Sequence, residues 1–202
     1  MNKKLVIILL ISILILVGGV ACYYLFIPDK KGVKEVEVVD DIKDYNYVLH
    51  DNESELYNMT FKELKAELAR ATVDDIRYAE LISKLFIIDF YTLSNKITNN
   101  DIGGVEYFHP DYVDNFINKA KDTVYKYVKS NVYNDRVQDL PTIKSITFVE
   151  SDNVKFNHDK VIDDTAILIK LQFDYEKDMG YSSEAIITLV HNDKMLYIVE
   201  VK

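Results

Sequence analysis

The sequence predicts one transmembrane helix followed by an α+β domain, in which helices pack on one face of a curved antiparallel sheet of roll-like form. Three observations lead to this prediction. Residues 5–27 are apolar except for Ser12. The middle of the chain repeats its apolar side chains at the helical period of about 3.6 residues, and from Ile143 onward the period becomes about 2.

The N-terminal apolar segment is long enough to span a bilayer. At a rise of about 1.5 Å per residue, residues 5–27 would reach about 34 Å as a helix, against a hydrocarbon core of ~30 Å. A lone segment in hydrocarbon must be helical, because only a helix satisfies its backbone hydrogen bonds within one segment. Tyr23 and Tyr24 stand where aromatic rings meet the headgroups, and Pro28 ends the helix. We therefore expect a short tail at residues 1–4 and a bilayer-spanning helix at residues 5–27.

Two other interpretations of this segment stay open. A cleaved signal peptide has an apolar core of only about 7–15 residues and a small-residue cleavage site. Gly19, Val20 and Ala21 offer such a site, but the apolar run continues beyond it to Ile27. A lipoprotein would be anchored through Cys22, the only cysteine of the chain. The bacterial lipobox places Leu or a similar residue three positions earlier, where this chain has Gly19.

The orientation of the segment follows from its position in the chain. Lys3 and Lys4 precede it and three further lysines follow it before residue 35, so the positive-inside rule does not decide. A very short tail ahead of a long domain is typical of a signal anchor. We expect a cell-membrane protein with a cytoplasmic N-terminus and an extracellular C-terminal domain.

Residues 28–56 are predicted to form a tether with a short extended segment, and residues 57–202 to form the α+β domain. Residues 29–44 are rich in charge, whereas residues 45–49 alternate like a strand. Within the domain, Thr60 and Glu63 fit a capping box that would open the first helix, with an end near Ala71.

Two more helices are predicted before the strands. A second capping box at residues 72–75 opens a helix that would run to about Lys96. Between Leu85 and Phe90 only Asp89 is polar, so we expect this helix to be buried on most of its circumference and to form the core. The third helix starts at Pro110 and keeps its apolar periodicity to Val128.

The last part of the chain predicts an antiparallel meander. Four alternating segments start near residues 143, 167, 185 and 195. Asn192 and Asp193 suit a two-residue hairpin turn because both tolerate positive φ. One face of such a sheet carries the apolar side chains, and the preceding helices would cover it.

This order of elements resembles the nuclear-transport-factor-two-like (cystatin-like) roll over residues 60–202. A membrane span followed by such a roll is similar to the bitopic assembly subunits of type IV secretion and conjugation machines. The resemblance implies a scaffolding role, with self-association and docking of other envelope proteins. Residues 85–93 and 101–104 are also similar to uncharacterised membrane-anchored proteins of low-GC Gram-positive bacteria, a similarity that implies no function.

Asp89 is the candidate catalytic residue of an alternative, enzymatic interpretation. A carboxyl group in an apolar pocket has a raised pKa and could act as an acid or base. The structural alternative is that Asp89 lies at the helix edge, or bonds a tyrosine or a backbone group and fixes the packing.

The remaining polar residues predict neither a metal site nor a cofactor. His50, His109, His158 and His191 match no zinc-ligand spacing, and the acidic residues between 157 and 164, expected to form a loop, lack the pattern of a calcium loop. No phosphate loop, dinucleotide fingerprint or nucleophile elbow occurs in the sequence. A formal net charge of −9 disfavours nucleic acid as a partner, because both would be negative.

Four aromatic residues are candidates for a partner surface: Tyr91, Tyr107, Phe108 and Tyr112. Tyrosine is enriched at interfaces, although aromatic residues at helical spacing also build cores. The main hypothesis is a non-enzymatic extracytoplasmic domain that binds envelope proteins or itself. The alternatives are a pocket hydrolase or isomerase with Asp89 as its acid, and a small-ligand sensor that uses the cavity of the roll.

Overall fold

The computed structural model of the chain describes residues 36–202. The predicted tail at residues 1–4, the predicted membrane helix at residues 5–27 and the first part of the predicted tether lie outside the described residues. Between residues 36 and 202, no helix combines the length and the apolar character needed to cross a membrane.

The described chain begins with a two-stranded antiparallel hairpin. Strand β1 spans Val38–Ile42 and strand β2 spans Tyr47–His50. Asn46 takes a φ of 56° in the turn, a conformation that asparagine adopts more readily than most residues. Tyr47 and Leu49 are buried in the core that the later elements form. The extended segment predicted here is thus a strand with one buried face.

Helix α1 spans Glu55–Leu68 and starts earlier than predicted. Its N-cap is Ser54, whose hydroxyl accepts a hydrogen bond from Tyr57 N at 3.1 Å. The predicted capping box is wrong, because Thr60 lies within the helix and its Oγ1 donates to Leu56 O at 2.8 Å.

Helix α2 spans Asp75–Tyr91 and is the core helix of the domain. Asp74 caps it by accepting hydrogen bonds from the backbone N–H groups of residues 76 and 77. The predicted helix, which opened with the capping box at Thr72 and ran to about Lys96, is therefore longer than α2 at both ends. Its buried side chains lie all around the helix, which confirms that it packs between layers.

Helix α3 spans Val113–Asp122 and follows a short 3-10 helix at Pro110–Tyr112. Pro110 occupies the first position of that turn, as predicted. The α-helix ends well before Val128, although Tyr125 and Val128 are buried. Their apolar spacing continues the helical pattern in the sequence, but these two side chains reach the core from irregular turns.

Four strands form one sheet in the order of the chain, and each neighbouring pair is antiparallel. They are β3 (Ile143–His158), β4 (Val161–Tyr175), β5 (Glu184–Asn192) and β6 (Met195–Val201). The predicted antiparallel meander is confirmed. Helix α2 packs against β3, β4 and β6, and the strand residues beneath it are fully buried. The domain is therefore an α+β fold with three helices packed against a curved antiparallel sheet.

Two connections between strands differ from the prediction. The acidic loop expected at residues 157–164 is wrong, because β3 runs to His158 and β4 already starts at Val161. Only Asp159 and Lys160 form a turn, whereas Asp163 and Asp164 lie on β4, with Asp163 largely shielded and Asp164 exposed. The turn between β5 and β6 is Asp193–Lys194, one residue later than predicted, and Asp193 has the positive φ of 54°.

Candidate functional site

A polar cleft of about 600 Å³ lies beside the C-terminal end of α2. Its walls come from the loop between β2 and α1 and from residues 96–106, which follow α2. Five charged residues line it: Glu53, Asp89, Lys96, Asp101 and Glu106. The cleft therefore contains four carboxyl groups and one ammonium group.

Asp89 and Lys96 form an ion pair at the floor of the polar cleft. Asp89 Oδ1 contacts Lys96 Nζ, and both side chains are nearly inaccessible to solvent. Asp89 Oδ2 accepts a hydrogen bond from Gly104 N at 2.6 Å. Burial opposes the charge of Lys96, but the attraction of Asp89 outweighs it and holds the pKa of Lys96 above its usual range. Both oxygens of the candidate acid are thus occupied by donors of the protein itself.

Two glycines allow the loop after α2 to reach Asp89. A Cβ atom on Gly103 would lie 2.5 Å from Asp89 O, so only glycine permits this approach without a shift of the backbone. Gly104 has a φ of 74° and presents its N–H to the carboxylate. Tyr125 completes the arrangement, since its hydroxyl accepts from Gly103 N at 3.0 Å and donates to Phe90 O at 2.8 Å.

Glu53 and Glu106 form the upper part of the polar cleft. Burial and the nearby negative charge of Asp89 raise the pKa of Glu53 to about 8 and the pKa of Glu106 to about 7. Glu106 is exposed to solvent on the side of the cleft, and Glu53 is half-exposed. The Tyr57 hydroxyl donates to Glu106 Oε1 at 3.5 Å. Both carboxyl groups are accessible from the cleft.

The candidate partner residues separate into two groups. Tyr91, Phe108 and Tyr112 line a second pocket of about 440 Å³ between α3 and β6, which we call the aromatic groove. Tyr107 does not reach this groove. It is fully buried, and its hydroxyl lies 2.5 Å from that of Tyr57.

The floor of the aromatic groove is a stack of phenylalanine rings. Phe108 and Phe116 are parallel with ring centroids 3.9 Å apart, and Phe90 lies 5.4 Å from Phe116. Lys119 of α3 and the last four residues of the chain form the rim. The groove also lies along an edge strand, because β6 is the last strand of the sheet. At one point this edge is already used: His109 N donates to Ile198 O at 2.9 Å.

Sequence patterns identified only part of these two sites. Asp89 stood out as the one polar residue of an apolar run. Lys96, Glu53 and Glu106 were missed, because each comes from a separate polar segment with no motif of its own. Phe116 was visible only as an apolar position of the third helix. Among the described residues, no group of three or more histidine, cysteine, aspartate or glutamate side chains could hold a metal ion.

Comparison of the chain with family models, with curated proteins and with solved structures finds no match.

Proposed function

We propose that the chain is a single-pass membrane protein whose extracytoplasmic domain binds a protein partner at the cell envelope, and that the aromatic groove is its binding surface. The groove carries this proposal. It combines aromatic side chains, which are enriched at interfaces, with the edge of a sheet that has free backbone groups.

An extended peptide segment suits this geometry. Ile186 and Lys202 exchange both backbone hydrogen bonds between β5 and β6, each at 2.9 Å. In an antiparallel ladder the residue next to such a pair points its N–H and C=O the other way, so Val201 offers them to the outer edge. A partner strand would bond this edge with its backbone and place alternate side chains on the rings.

The remaining parts of the proposal concern the anchor and the class of partner. The apolar residues 5–27 support attachment to a lipid bilayer, with the domain outside the cell in this proposal. The roll-like order of elements supports a scaffolding role, in which the partner is another envelope protein or a second copy of the chain. An enzyme with Asp89 as its acid is not favoured, because Lys96 and Gly104 occupy both oxygens of that carboxylate.

Site-specific photo-crosslinking in intact cells tests the aromatic groove. A photoreactive amino acid replaces Asn115, an exposed residue that lines the groove, and a control variant carries it at Lys62, an exposed residue of α1. We expect a discrete protein adduct from position 115 and none from position 62. Adducts from both positions, or from neither, would contradict the assignment of the groove.

A further inference from the structure

We propose that the aromatic groove of one copy of the chain binds strand β1 of a second copy, so that the copies associate head to tail. The proposed role of the groove as a partner surface is the basis of this inference, which adds the segment that the groove receives. Three features carry it: exposed apolar side chains at the start of β1, free strand edges on β1 and β6, and opposite charges on the two surfaces.

Apolar side chains are exposed at the start of β1. We call residues 36–39, which comprise the first two residues of β1 and the two residues before it, the valine segment. Val36 is 38% exposed, and Val38 and Val39 are each 57% exposed. An exposed edge strand invites pairing with another chain, and many proteins prevent it with lysine or proline on the edge. The valine segment contains neither.

The backbone of the valine segment leaves an edge to which another strand can add. Glu37 O accepts a hydrogen bond from Asp51 N at 2.9 Å, so Glu37 turns its backbone towards the end of β2. Successive residues of an antiparallel strand turn their backbone groups in opposite directions, so Val36 and Val38 direct theirs away from β2. The register of β1 with β2 shifts only beyond Val38. Residues 36–38 therefore form a regular edge.

This edge is complementary to the edge of β6 at the aromatic groove. Val38 and Val201 each direct an N–H and a C=O outwards, which is what two strands need in order to pair. Val36 and Val38 lie on one face of the valine segment, because side chains along a strand alternate between its two faces. When the segment lies beside β6, that face can cover the Phe108 and Phe116 rings on the floor of the groove. Contacts between β-branched and aromatic side chains stabilise paired strands.

Charge favours this contact over others between two copies. The chain has a formal net charge of −9, so two copies repel each other over most of their surfaces. The groove differs, because the charged residues that line it are Lys119, Lys202 and Glu200. Glu200 pairs with Lys202 at 2.9 Å, whereas Lys119 is in no ion pair within the described part of the chain. Residues 36–41 contain three acidic residues and no basic one, so opposite charges meet in this contact.

The contact joins two different surfaces and is therefore not reciprocal. Each contact uses the groove of one copy and the valine segment of the other, and it leaves one groove and one valine segment free. Further copies can bind at these free surfaces. The expected assembly is therefore a ring or an open chain of copies, with the dimer as its first step.

Sedimentation of the full chain in detergent, over a range of concentrations, tests the association. We expect the unmodified chain to form dimers and larger species. Val38→Lys adds a charge to the exposed edge, and Val201→Pro removes the N–H that β6 offers. Each should raise the concentration required for association by about tenfold or more. Val137→Lys, at a 99% exposed position outside both surfaces, is the matched control and should associate like the unmodified chain.

Two outcomes of the sedimentation experiment would overturn the proposal. One is an unmodified chain that stays monomeric at every concentration. The other is association that persists unchanged in both variants, because the contact would then lie elsewhere in the chain.

A mixture of the two variants distinguishes a head-to-tail contact from a loss of folding. Val38→Lys keeps an intact groove, and Val201→Pro keeps an intact valine segment. The mixture should therefore form a complex with one copy of each variant and nothing larger, at concentrations where each variant alone is monomeric. Lys119→Glu, at an exposed position of α3, takes the place of Val201→Pro if the proline weakens the fold of β6. A mixture of folded variants that forms no such complex would contradict the proposal.

The photoreactive residue at position 115 separates this inference from the proposed function of the groove. In the purified chain it should give an adduct of two copies, in which trypsin leaves position 115 joined to peptide 35–43 of the second copy. If intact cells give an adduct with a different protein and none between two copies, the groove remains a partner surface but a second copy is not its occupant. If neither the purified chain nor the cells give an adduct, both proposals are wrong.

Discussion

Asp89 shows how one charged side chain is accommodated in the most apolar stretch of the described chain. Its carboxylate contacts Lys96 and accepts the Gly104 N–H, so neither oxygen is left without a donor. A buried charge that loses its partner is costly, whereas an ion pair in water contributes little. The surroundings of Asp89 therefore make it a packing residue that joins the end of α2 to the following loop.

Substitution of Lys96 tests this role of Asp89. Lys96→Met should lower the free energy of unfolding by about 3–5 kcal/mol, because it leaves a buried carboxylate without its cation. Lys155→Met removes the lysine of an ion pair whose side chains are 79% and 75% exposed, and it should cost no more than about 1 kcal/mol. Urea unfolding followed by circular dichroism measures both values.

A double variant distinguishes the ion pair from the loss of the lysine itself. Asp89→Asn/Lys96→Met removes both charges, so it should be less destabilised than the sum of the two single variants, by about 1–3 kcal/mol. Additive losses would show that Asp89 and Lys96 do not stabilise each other.

The partner of Asp89 could not be read from the sequence. The apolar pattern predicted that the helix continues to Lys96, and in a continuous helix the two residues would be seven positions, or about 10.5 Å, apart along the axis. No ion pair forms over that distance. The helix instead ends at Tyr91, and the 3-10 turn at Leu93–Asn95 brings Lys96 back towards Asp89.

Helices α1 and α2 start at residues other than those that the sequence predicts. Thr60 and Thr72 both fit a capping motif, but Ser54 and Asp74 are the caps. The motif is local, whereas the start of α1 is set by tertiary packing, because it allows Tyr57 to be buried against Tyr107. Thr60 then bonds a carbonyl of the preceding turn, as threonine does inside helices.

The observed N-cap of α2, Asp74, can be compared with Thr72, the N-cap predicted from the sequence. Asp74→Ala should lower the free energy of unfolding by about 1 kcal/mol, because two backbone N–H groups at the start of α2 lose their acceptor. Thr72→Ala, in the exposed turn just before, should change it by less than about 0.5 kcal/mol. Thermal or urea unfolding of the two variants measures the difference. A larger loss from Thr72→Ala would restore the cap predicted from the sequence.

The edges of the sheet restrict where another strand could add. β3 is an outer strand, and its register with β4 shifts at three places, next to Lys144, Val149 and Lys155. Bulges and lysines on an edge strand hinder pairing with another chain. β6 has a single register shift with its neighbour, at Val199, two residues before Val201. Addition of a strand, by a partner or a second copy, is therefore better suited to the side of the aromatic groove.

The periodicity of the apolar residues predicted the fold class but not the polar cleft. The alternation of apolar and polar residues from Ile143 onward determines which face of each strand is buried. This inference needs no knowledge of how the loops connect the strands. The cleft instead joins Glu53, Asp89 and Glu106 from three distant segments, and no local pattern relates them. Tyr107 illustrates the same limit, because its neighbour Phe108 lines the aromatic groove while Tyr107 is buried on the opposite side of the turn.

The carboxylate of Asp163 makes the stability of the domain decrease at low pH. Asp163 of β4 accepts hydrogen bonds from the backbone N–H and the ring Nδ1 of His191 in β5, both at 2.8 Å, and from Thr165 N at 2.7 Å. Burial opposes the ionised form, but these hydrogen bonds outweigh burial and lower the pKa of Asp163 to about 2. The raised pKa values of Glu53 and Glu106 act in the opposite direction, because their contribution declines as the pH rises above the unfolded value of ~4.3. The combined effect places the highest stability near about pH 4.

Replacement of Asp163 should therefore flatten the acid side of the stability profile. Its pKa is lower in the folded chain than the value of ~3.9 expected when unfolded, so its contribution is complete above about pH 4 and is lost as the pH falls towards 2. Asp163→Asn should cost about 2 kcal/mol near pH 6 and progressively less below pH 4, because a displacement of nearly two pKa units has that magnitude.

Asp164→Asn, at the neighbouring exposed position, should leave the profile unchanged. Urea unfolding of the full chain between about pH 2 and pH 6 gives the three profiles. An unaltered acid slope in Asp163→Asn would show that the hydrogen bonds to His191 and Thr165 do not set this limit.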